Sequence, residues 1–304
     1  MNKLIFSLLL TCGFQLTGAQ VQDQLQQHFE TLQQGKTSVL SKSTTTAAAK
    51  DEQSIATLQP FLQATAPEVQ REAVRLTAVI GAQHTAPTSR TQAVNQLLKT
   101  AEGTSTALLG QISRQLRQFN RADFDGQATQ QLARLIRMER PHLSKLIELA
   151  GFLQMRDLLN EIRIHHQKDK YLRQSIGMAL TRSGDEQKQE NLLKNVKKLR
   201  VNDDFVYGIL PKLVYVRQKE TTNYLFGLIL EDQKNCSPPG HSVPGKVNCA
   251  YRVMEALAPY IKDLPVTVGP SGDLAVDDYA QALQTTRQWI LDHQDHYELR
   301  TDIY

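Results

Sequence analysis

Apolar residues recur at spacings of three and four positions along most of the chain, beginning near Asp51. They fall into segments of about 12 to 16 residues, which short polar, proline or glycine breaks separate. A three- and four-residue spacing places the apolar side chains on one face of a helix. The pattern therefore predicts an all-α protein.

The predicted helices fall into pairs, and the second helix of each pair repeats one apolar pattern, which is set by Val69, Ala73, Leu76 and Ile80. The second helices are predicted at 67–81, 105–119, 141–154, 170–184, 204–218 and 248–262. Weaker first helices are predicted near 51–64, 88–101, 125–137, 155–166, 186–199 and 220–231. The second helices start about 30 to 45 residues apart, a period typical of solenoids of helix pairs.

The segment APEVQREAVRLTAVIGA (66–82) has a proline at its entry, followed by Arg71, Ala73 and Val74. In these features it resembles the HEAT-repeat family, including the phycobilisome-lyase-like subgroup, and 170–184 is the other good match. The resemblance extends over roughly 51–264. It implies an α-solenoid, a right-handed superhelix of about six HEAT-like helix pairs, whose concave face of second helices usually holds a partner. It implies no catalytic residue and no substrate.

Segments of different character flank the array. Residues 20–50 predict a polar helix and then, from Gly35, a loop or linker rich in serine, threonine and alanine. The array, 51–264, contains an insertion loop at 234–249, KNCSPPGHSVPGKVNC. Residues 265–304 predict a C-terminal cap, with a turn at Gly272-Asp273 and a capping helix.

Two details of the helices follow from single residues. Pro211 lies inside the segment 204–218 and should kink it. The capping helix is predicted from about Asp277 to His293 and carries Trp289, the one tryptophan.

The first nineteen residues, MNKLIFSLLLTCGFQLTGA, predict a signal peptide (1–19). A lysine precedes the apolar run Leu4–Leu10, and small residues lead to a cleavage site after Ala19, which would leave Gln20 first. The run is shorter than the roughly 20 residues of a membrane span, and no other stretch predicts a transmembrane segment. The alternative is lipoprotein anchoring at Cys12. The sequence therefore predicts an exported protein, periplasmic or secreted.

Removal of a signal peptide would leave two cysteines, Cys236 and Cys249. An even number of cysteines in an exported protein predicts a disulfide. Closing this loop should add on the order of 3 kcal/mol of stability. The alternatives are two free thiols, or a zinc site with His241 that lacks an evident fourth ligand.

No motif predicts an active site. A Gly-x-Ser-x-Gly nucleophile elbow is absent from the sequence, and the acidic pairs at 203–204 and 277–278 predict helix caps. His293 and His296 could share a metal ion, although a solvated helix end explains them equally well. We therefore predict no catalytic residue, metal or cofactor. The alternative is an enzyme or enzyme subunit with a site near the 234–249 loop and the C-terminal helix.

Charge is distributed unevenly along the chain. Between Arg134 and Arg200 there are fifteen Lys/Arg against eight Asp/Glu, whereas from Asp263 to Tyr304 there are two against eight. A basic centre would steer an anionic partner, although ordinary solvated helix faces would give the same counts. The candidate partner-binding residues are Arg163, Arg173, Arg182, Lys197, Lys198 and Arg200.

These patterns together predict a non-catalytic scaffold that binds a protein or peptide on the concave repeat surface, in the bacterial periplasm or outside the cell. Nucleic acid is not an expected partner, because an exported chain rarely meets DNA. The aromatic residues beside the basic region are also too few for base stacking.

Overall fold

The described part of the chain is built from helices. The computed structural model describes residues 17–238, 245–269 and 274–304. Within these ranges it has sixteen α-helices and a few short 3-10 turns, and its extended pairings are isolated bridges. The prediction of an all-α protein is confirmed. Residues 1–16 of the predicted signal peptide, including Cys12, lie outside the described residues, as do His241 and the turn predicted at Gly272-Asp273.

The chain divides into two compact units after Leu116, so the array predicted over 51–264 contributes to both. The helices of the first unit are α1 (Gly18–Gln33), α2 (Lys42–Ala48), α3 (Ser54–Leu58), α4 (Pro67–Gln83), α5 (Pro87–Gly103) and α6 (Thr106–Gln115). No helix among the described residues of either unit is long and apolar enough to cross a bilayer.

Helix α4 is at the centre of the first unit and packs against the five other helices there. It begins at Pro67. Proline has no main-chain N–H, but an N–H in the first turn of a helix has no partner within the helix, so nothing is lost there. Its apolar stripe is the one predicted from the sequence, and each member is fully buried: Val69, Ala73, Leu76 and Ile80. The ring of Phe29 on α1 stacks on Phe61 at a centroid distance of 4.1 Å, so α1 is part of the same core.

Helix α2 lies where the sequence predicts a loop or linker. Ser41 caps it by accepting a hydrogen bond from the Thr44 N–H at 3.0 Å. The Thr44 hydroxyl then donates to Gln24 on α1 at 2.8 Å, and Ala48 is fully buried. The loop prediction was therefore wrong for residues 42–48. A cap and tertiary packing outweigh the low helix propensity of three consecutive threonines.

The second unit has ten helices in its described part: α7 (Gly126–Arg137), α8 (Leu143–Phe152), α9 (Arg156–His165), α10 (Lys170–Arg182), α11 (Glu186–Val196), α12 (Asp203–Gly208), α13 (Leu210–Val216), α14 (Lys219–Leu230), α15 (Ala250–Leu257) and α16 (Tyr279–His293). Pro211 lies in the first turn of α13. The predicted kink is confirmed, because the segment 204–218 breaks between Gly208 and Leu210.

The insertion loop is closed by the predicted disulfide between Cys236 and Cys249, whose Cα atoms are 5.1 Å apart. Asp203 accepts hydrogen bonds from the Ser237 N–H at 2.8 Å and the Ser237 hydroxyl at 2.7 Å. This carboxylate therefore ties the loop to the start of α12. The residue that caps α12 is Asn202 rather than Asp203 or Asp204, so the observed cap lies one residue before the predicted position 203–204.

The C-terminal helix α16 packs against α14 and α15. Asp278 caps it, which confirms the cap predicted at 277–278. The Trp289 ring lies edge-on to Phe226 at a centroid distance of 6.4 Å. Beyond α16 the chain turns back, and an antiparallel bridge joins Leu299 to Ile261.

Helices α8 and α10 approach each other closely at Gly151. A Cβ atom there would lie 2.6 Å from the Ala179 Cα and 2.3 Å from the Tyr215 Oη. Both distances are below the contact distance of carbon and oxygen atoms, and the first neighbour is backbone. The absence of a side chain at Gly151 therefore sets the spacing of the two helices.

We expect Gly151→Ala to lower the free energy of unfolding by about 1–3 kcal/mol, because the added methyl group must push α8 away from α10. Chemical denaturation measures the change. Gly177→Ala is the matched control, since a Cβ at Gly177 on α10 meets no atom within 4 Å. That change should be neutral or stabilise the protein by up to about 1 kcal/mol. Equal stability of the two variants would contradict the packing argument.

Candidate peptide-binding groove

The last residues of the second unit, 298–304 (the tail), cross a cluster of four arginines. The cluster consists of Arg117, Arg121, Arg182 and Arg217. The tail first pairs with the segment after α15 through two main-chain hydrogen bonds. The Lys262 N–H donates to the main-chain oxygen of Glu298 at 3.0 Å, and the Arg300 N–H donates to the main-chain oxygen of Tyr260 at 2.9 Å. It then enters the arginine cluster.

Four consecutive main-chain oxygens of the tail accept hydrogen bonds from the cluster. The Arg121 guanidinium donates to Thr301 at 2.9 Å, and the Arg121 main-chain N–H donates to Asp302 at 2.8 Å. Arg182 donates to Ile303 at 3.0 Å, and Arg217 donates to Tyr304 at 2.9 Å. The side chains of Thr301 and Asp302 are exposed. The cluster therefore holds the backbone of the tail rather than these side chains.

Helix ends position the two inner arginines. Arg182 closes α10, and its guanidinium also donates to the Tyr215 oxygen at 2.6 Å. Arg217 follows the last turn of α13 with a φ of 54°, in the left-handed region that side chains other than glycine rarely adopt. Its guanidinium donates to the Val214 oxygen at 2.7 Å as well. Each arginine thus joins the end of a helix to the tail.

Aromatic rings enclose the guanidinium groups. The Arg182 Cζ lies 5.0 Å from the ring centroid of Phe152 and 4.7 Å from that of Tyr215, and the Arg217 Cζ lies 3.1 Å from that of Tyr260. Ring faces attract cations, and more strongly where water is excluded. The rings therefore replace part of the hydration that both guanidinium groups lose.

The side chain of Tyr304 completes the contact. Its hydroxyl donates to the Glu148 Oε2 at 3.0 Å, and the same oxygen accepts from Arg117 at 2.8 Å. Its ring lies edge-on to Phe152 at 5.7 Å. A cleft of about 220 Å³ opens beside the ring, lined in part by Lys212. A tyrosine at this position is thus fixed at both its ring and its hydroxyl.

The cluster has a positive electrostatic environment. Burial lowers the pKa of Arg182 to about 10 and that of Arg217 to about 10, so both remain protonated at neutral pH. The hydrogen bonds of both guanidinium groups go to main-chain oxygens: Arg182 donates to Tyr215 and Ile303, and Arg217 donates to Val214 and Tyr304. Burial also raises the pKa of Tyr304, whose hydroxyl stays a donor. The site therefore favours carbonyl and carboxylate oxygens.

The structure brings one of the six predicted partner-binding residues into this cluster. Arg182 is 3% exposed. The other five are exposed on α9, on α10 and at or after the end of α11: Arg163, Arg173, Lys197, Lys198 and Arg200. Arg117, Arg121 and Arg217 were not among the predicted residues, because a single arginine near a helix end has the sequence pattern of a solvent-exposed residue. Only the position of the tail in the structure shows their role.

The histidines considered as metal ligands have other contacts. The His293 ring stacks on Trp289 at 4.6 Å and hydrogen bonds through Nδ1 to the Trp289 oxygen at 2.8 Å. The ring centroid of His296 lies 5.1 Å from that of His293. Among the described residues, no group of three or more His, Cys, Asp or Glu is arranged to hold a metal ion.

Comparisons of the chain with protein families, characterised proteins and solved structures found no match.

We expect Arg182→Lys to loosen the tail. Lysine keeps the positive charge, but it lacks the planar guanidinium group with which Arg182 donates to the main-chain oxygens of Tyr215 and Ile303 at the same time. Losing one charge-assisted hydrogen bond of about 1.5 kcal/mol should speed deuterium uptake by residues 298–304 roughly tenfold. Arg173→Lys on the exposed face of α10 is the control and should leave uptake unchanged. Unchanged uptake in Arg182→Lys would show that the fork does not hold the tail.

Proposed function

We propose that this chain is an exported protein-interaction scaffold, an α-solenoid of HEAT-like helix pairs, that binds an extended segment of a partner protein at the arginine cluster. The contact between the cluster and the tail carries the proposal. A surface that already holds four consecutive main-chain oxygens has the donors needed to hold another extended chain.

The helix boundaries support the HEAT-like part of the proposal. Each predicted second helix coincides with an observed helix or a kinked pair of helices, and so does each predicted first helix. Three members of the cluster, Arg117, Arg182 and Arg217, fall within the second helices predicted at 105–119, 170–184 and 204–218. A HEAT-like stack usually holds its partner on the face that its second helices line.

The electrostatics favour a partner segment rich in oxygen acceptors. The cleft beside Tyr304 is lined by two cationic side chains, Arg117 and Lys212, and by one carboxylate, Glu148. An extended peptide offers unpaired carbonyl oxygens, whereas a helix uses its own. An acidic peptide would gain further from the positive field, and the five exposed basic residues remain candidates for steering it.

The proposal implies that a peptide with the sequence of the tail binds in trans once the tail itself is weakened. A fluorescein-labelled peptide ELRTDIY should raise its anisotropy more with the full chain carrying Tyr304→Ala than with the unchanged chain, whose own tail competes at a high effective concentration. Adding Arg182→Lys to Tyr304→Ala should weaken this binding about tenfold or more.

A peptide with the same residues in scrambled order is the control for non-specific charge attraction. If the scrambled peptide binds equally, or if Arg182→Lys has no effect on binding, the cluster is not a peptide-binding site. The exposed change Arg173→Lys should leave the affinity as it was.

Export is the part of the proposal that the disulfide supports, since disulfides persist in oxidising compartments. Expression of the full chain in a bacterial host, followed by mass spectrometry of the purified protein, should find Gln20 as the first residue. An acylated Cys12 would instead indicate a lipoprotein, and an intact Met1 in the cytoplasmic fraction would contradict export.

A further inference from the structure

In the first unit the fold brings together a serine, a histidine and a glutamate that are distant in sequence. The His28 Nδ1 lies 2.8 Å from the Ser38 Oγ, and the His28 Nε2 lies 3.4 Å from the Glu72 Oε1. His28 comes from α1, Ser38 from the segment before α2, and Glu72 from α4. A nucleophile bonded to a base, which a third group orients, is the arrangement of covalent acyl-transfer sites.

We propose that Ser38, His28 and Glu72 form a hydrolytic site that cleaves small, uncharged acyl esters, with Ser38 as nucleophile, His28 as base and Glu72 as the group that orients His28. This activity goes beyond the binding function proposed for the second unit.

The environment of His28 supports the assignment. The side chain is 3% exposed, and its buried Nε2 lies 3.4 Å from the Glu72 Oε1. Burial of Glu72 alone would raise its pKa, but hydrogen bonds from Arg75 and His28 outweigh this and lower it to about 2. The carboxylate is therefore charged and favours the tautomer with the proton on Nε2, which leaves Nδ1 free to accept the Ser38 proton.

Ser38 is accessible to a small molecule. It is half-buried, next to Val39, whose side chain is 92% exposed. Two clefts of about 380 Å³ and 390 Å³ share Ser38, Val39 and Leu40 in their walls. The first is also lined by Leu32 and Glu72, and the second by His28. The serine therefore lies where an ester could reach its hydroxyl.

The lining of the clefts indicates the substrate class. Leu32, Val39 and Leu40 supply apolar surface, and the charged residues of the wall cancel in pairs, Arg71 with Glu68 at 2.9 Å and Arg75 with Glu72 at 2.7 Å. A net neutral, partly apolar wall suits a short uncharged acyl group. The main-chain N–H groups of Val39 and Leu40 donate to no main-chain oxygen among the described residues, and both residues line the two clefts beside Ser38. In the proposed site these two groups would hold the developing oxyanion.

The reaction uses only the ester and water. The Ser38 Oγ attacks the ester carbonyl while its proton passes to the His28 Nδ1. The C–O bond to the alcohol then breaks, and His28 returns the proton to the leaving oxygen. Water next attacks the acyl-serine, giving its proton to His28 and releasing the carboxylic acid as Ser38 regains a proton.

The test uses the full chain with p-nitrophenyl acetate and with a fluorophosphonate reagent that labels activated serines. We expect hydrolysis above the buffer rate and a single phosphonyl adduct, which peptide mass spectrometry places on Ser38. Ser38→Ala should abolish both signals. Glu72→Gln should slow hydrolysis and labelling at least about tenfold, since the base loses its orienting charge.

Thr37→Ala is the matched control, because it removes a hydroxyl from the neighbouring, exposed residue and should change neither signal. Circular dichroism checks that Ser38→Ala, Glu72→Gln and Thr37→Ala are folded. Hydrolysis that survives Ser38→Ala, an adduct on another serine, or the absence of any adduct would overturn the proposal.

Discussion

Each amphipathic helix of this chain has an apolar stripe that it cannot bury alone. In the first unit the stripe of α4 is covered by the five surrounding helices, and not one of its predicted members is exposed. In the second unit α8 and α10 meet so closely that Gly151 has no room for a side chain. Burial of these stripes is the main source of stability in such a fold, and it decides which polar residues also leave the solvent.

Close packing in the second unit brings two arginines into a layer of aromatic rings. A buried guanidinium must find acceptors, because an unpaired buried charge is costly. The nearby helices have already used most of their carbonyl oxygens, and only those at helix ends are free. The extended tail supplies the rest, one oxygen to Arg182 and one to Arg217. The need of these two guanidinium groups for oxygen acceptors stabilises their contact with the tail. The same need underlies the proposal that the arginine cluster binds an extended backbone.

In the first unit, a buried polar group is likewise paired, but with side chains rather than with main-chain oxygens. The buried imidazole of His28 has a hydroxyl on one side and a carboxylate on the other. In the second unit the partners of the arginines are main-chain oxygens that cannot react, whereas Ser38 carries a hydroxyl beside a base. This difference in partners is the reason that we propose binding for the one site and hydrolysis for the other.

The sequence by itself determined the helices and the disulfide. The local signals were a three- and four-residue period, Pro67 at a helix start, Pro211 at a break and the pair Cys236 and Cys249, and each was realised in the structure. Helix α2 escaped prediction because its cap and its contacts with α1 outweigh weak propensity. Only the tertiary structure decided the two sites. Arg182 and Ile303 are far apart in sequence, as are His28 and Glu72, and no short-range pattern can predict a contact over such a separation.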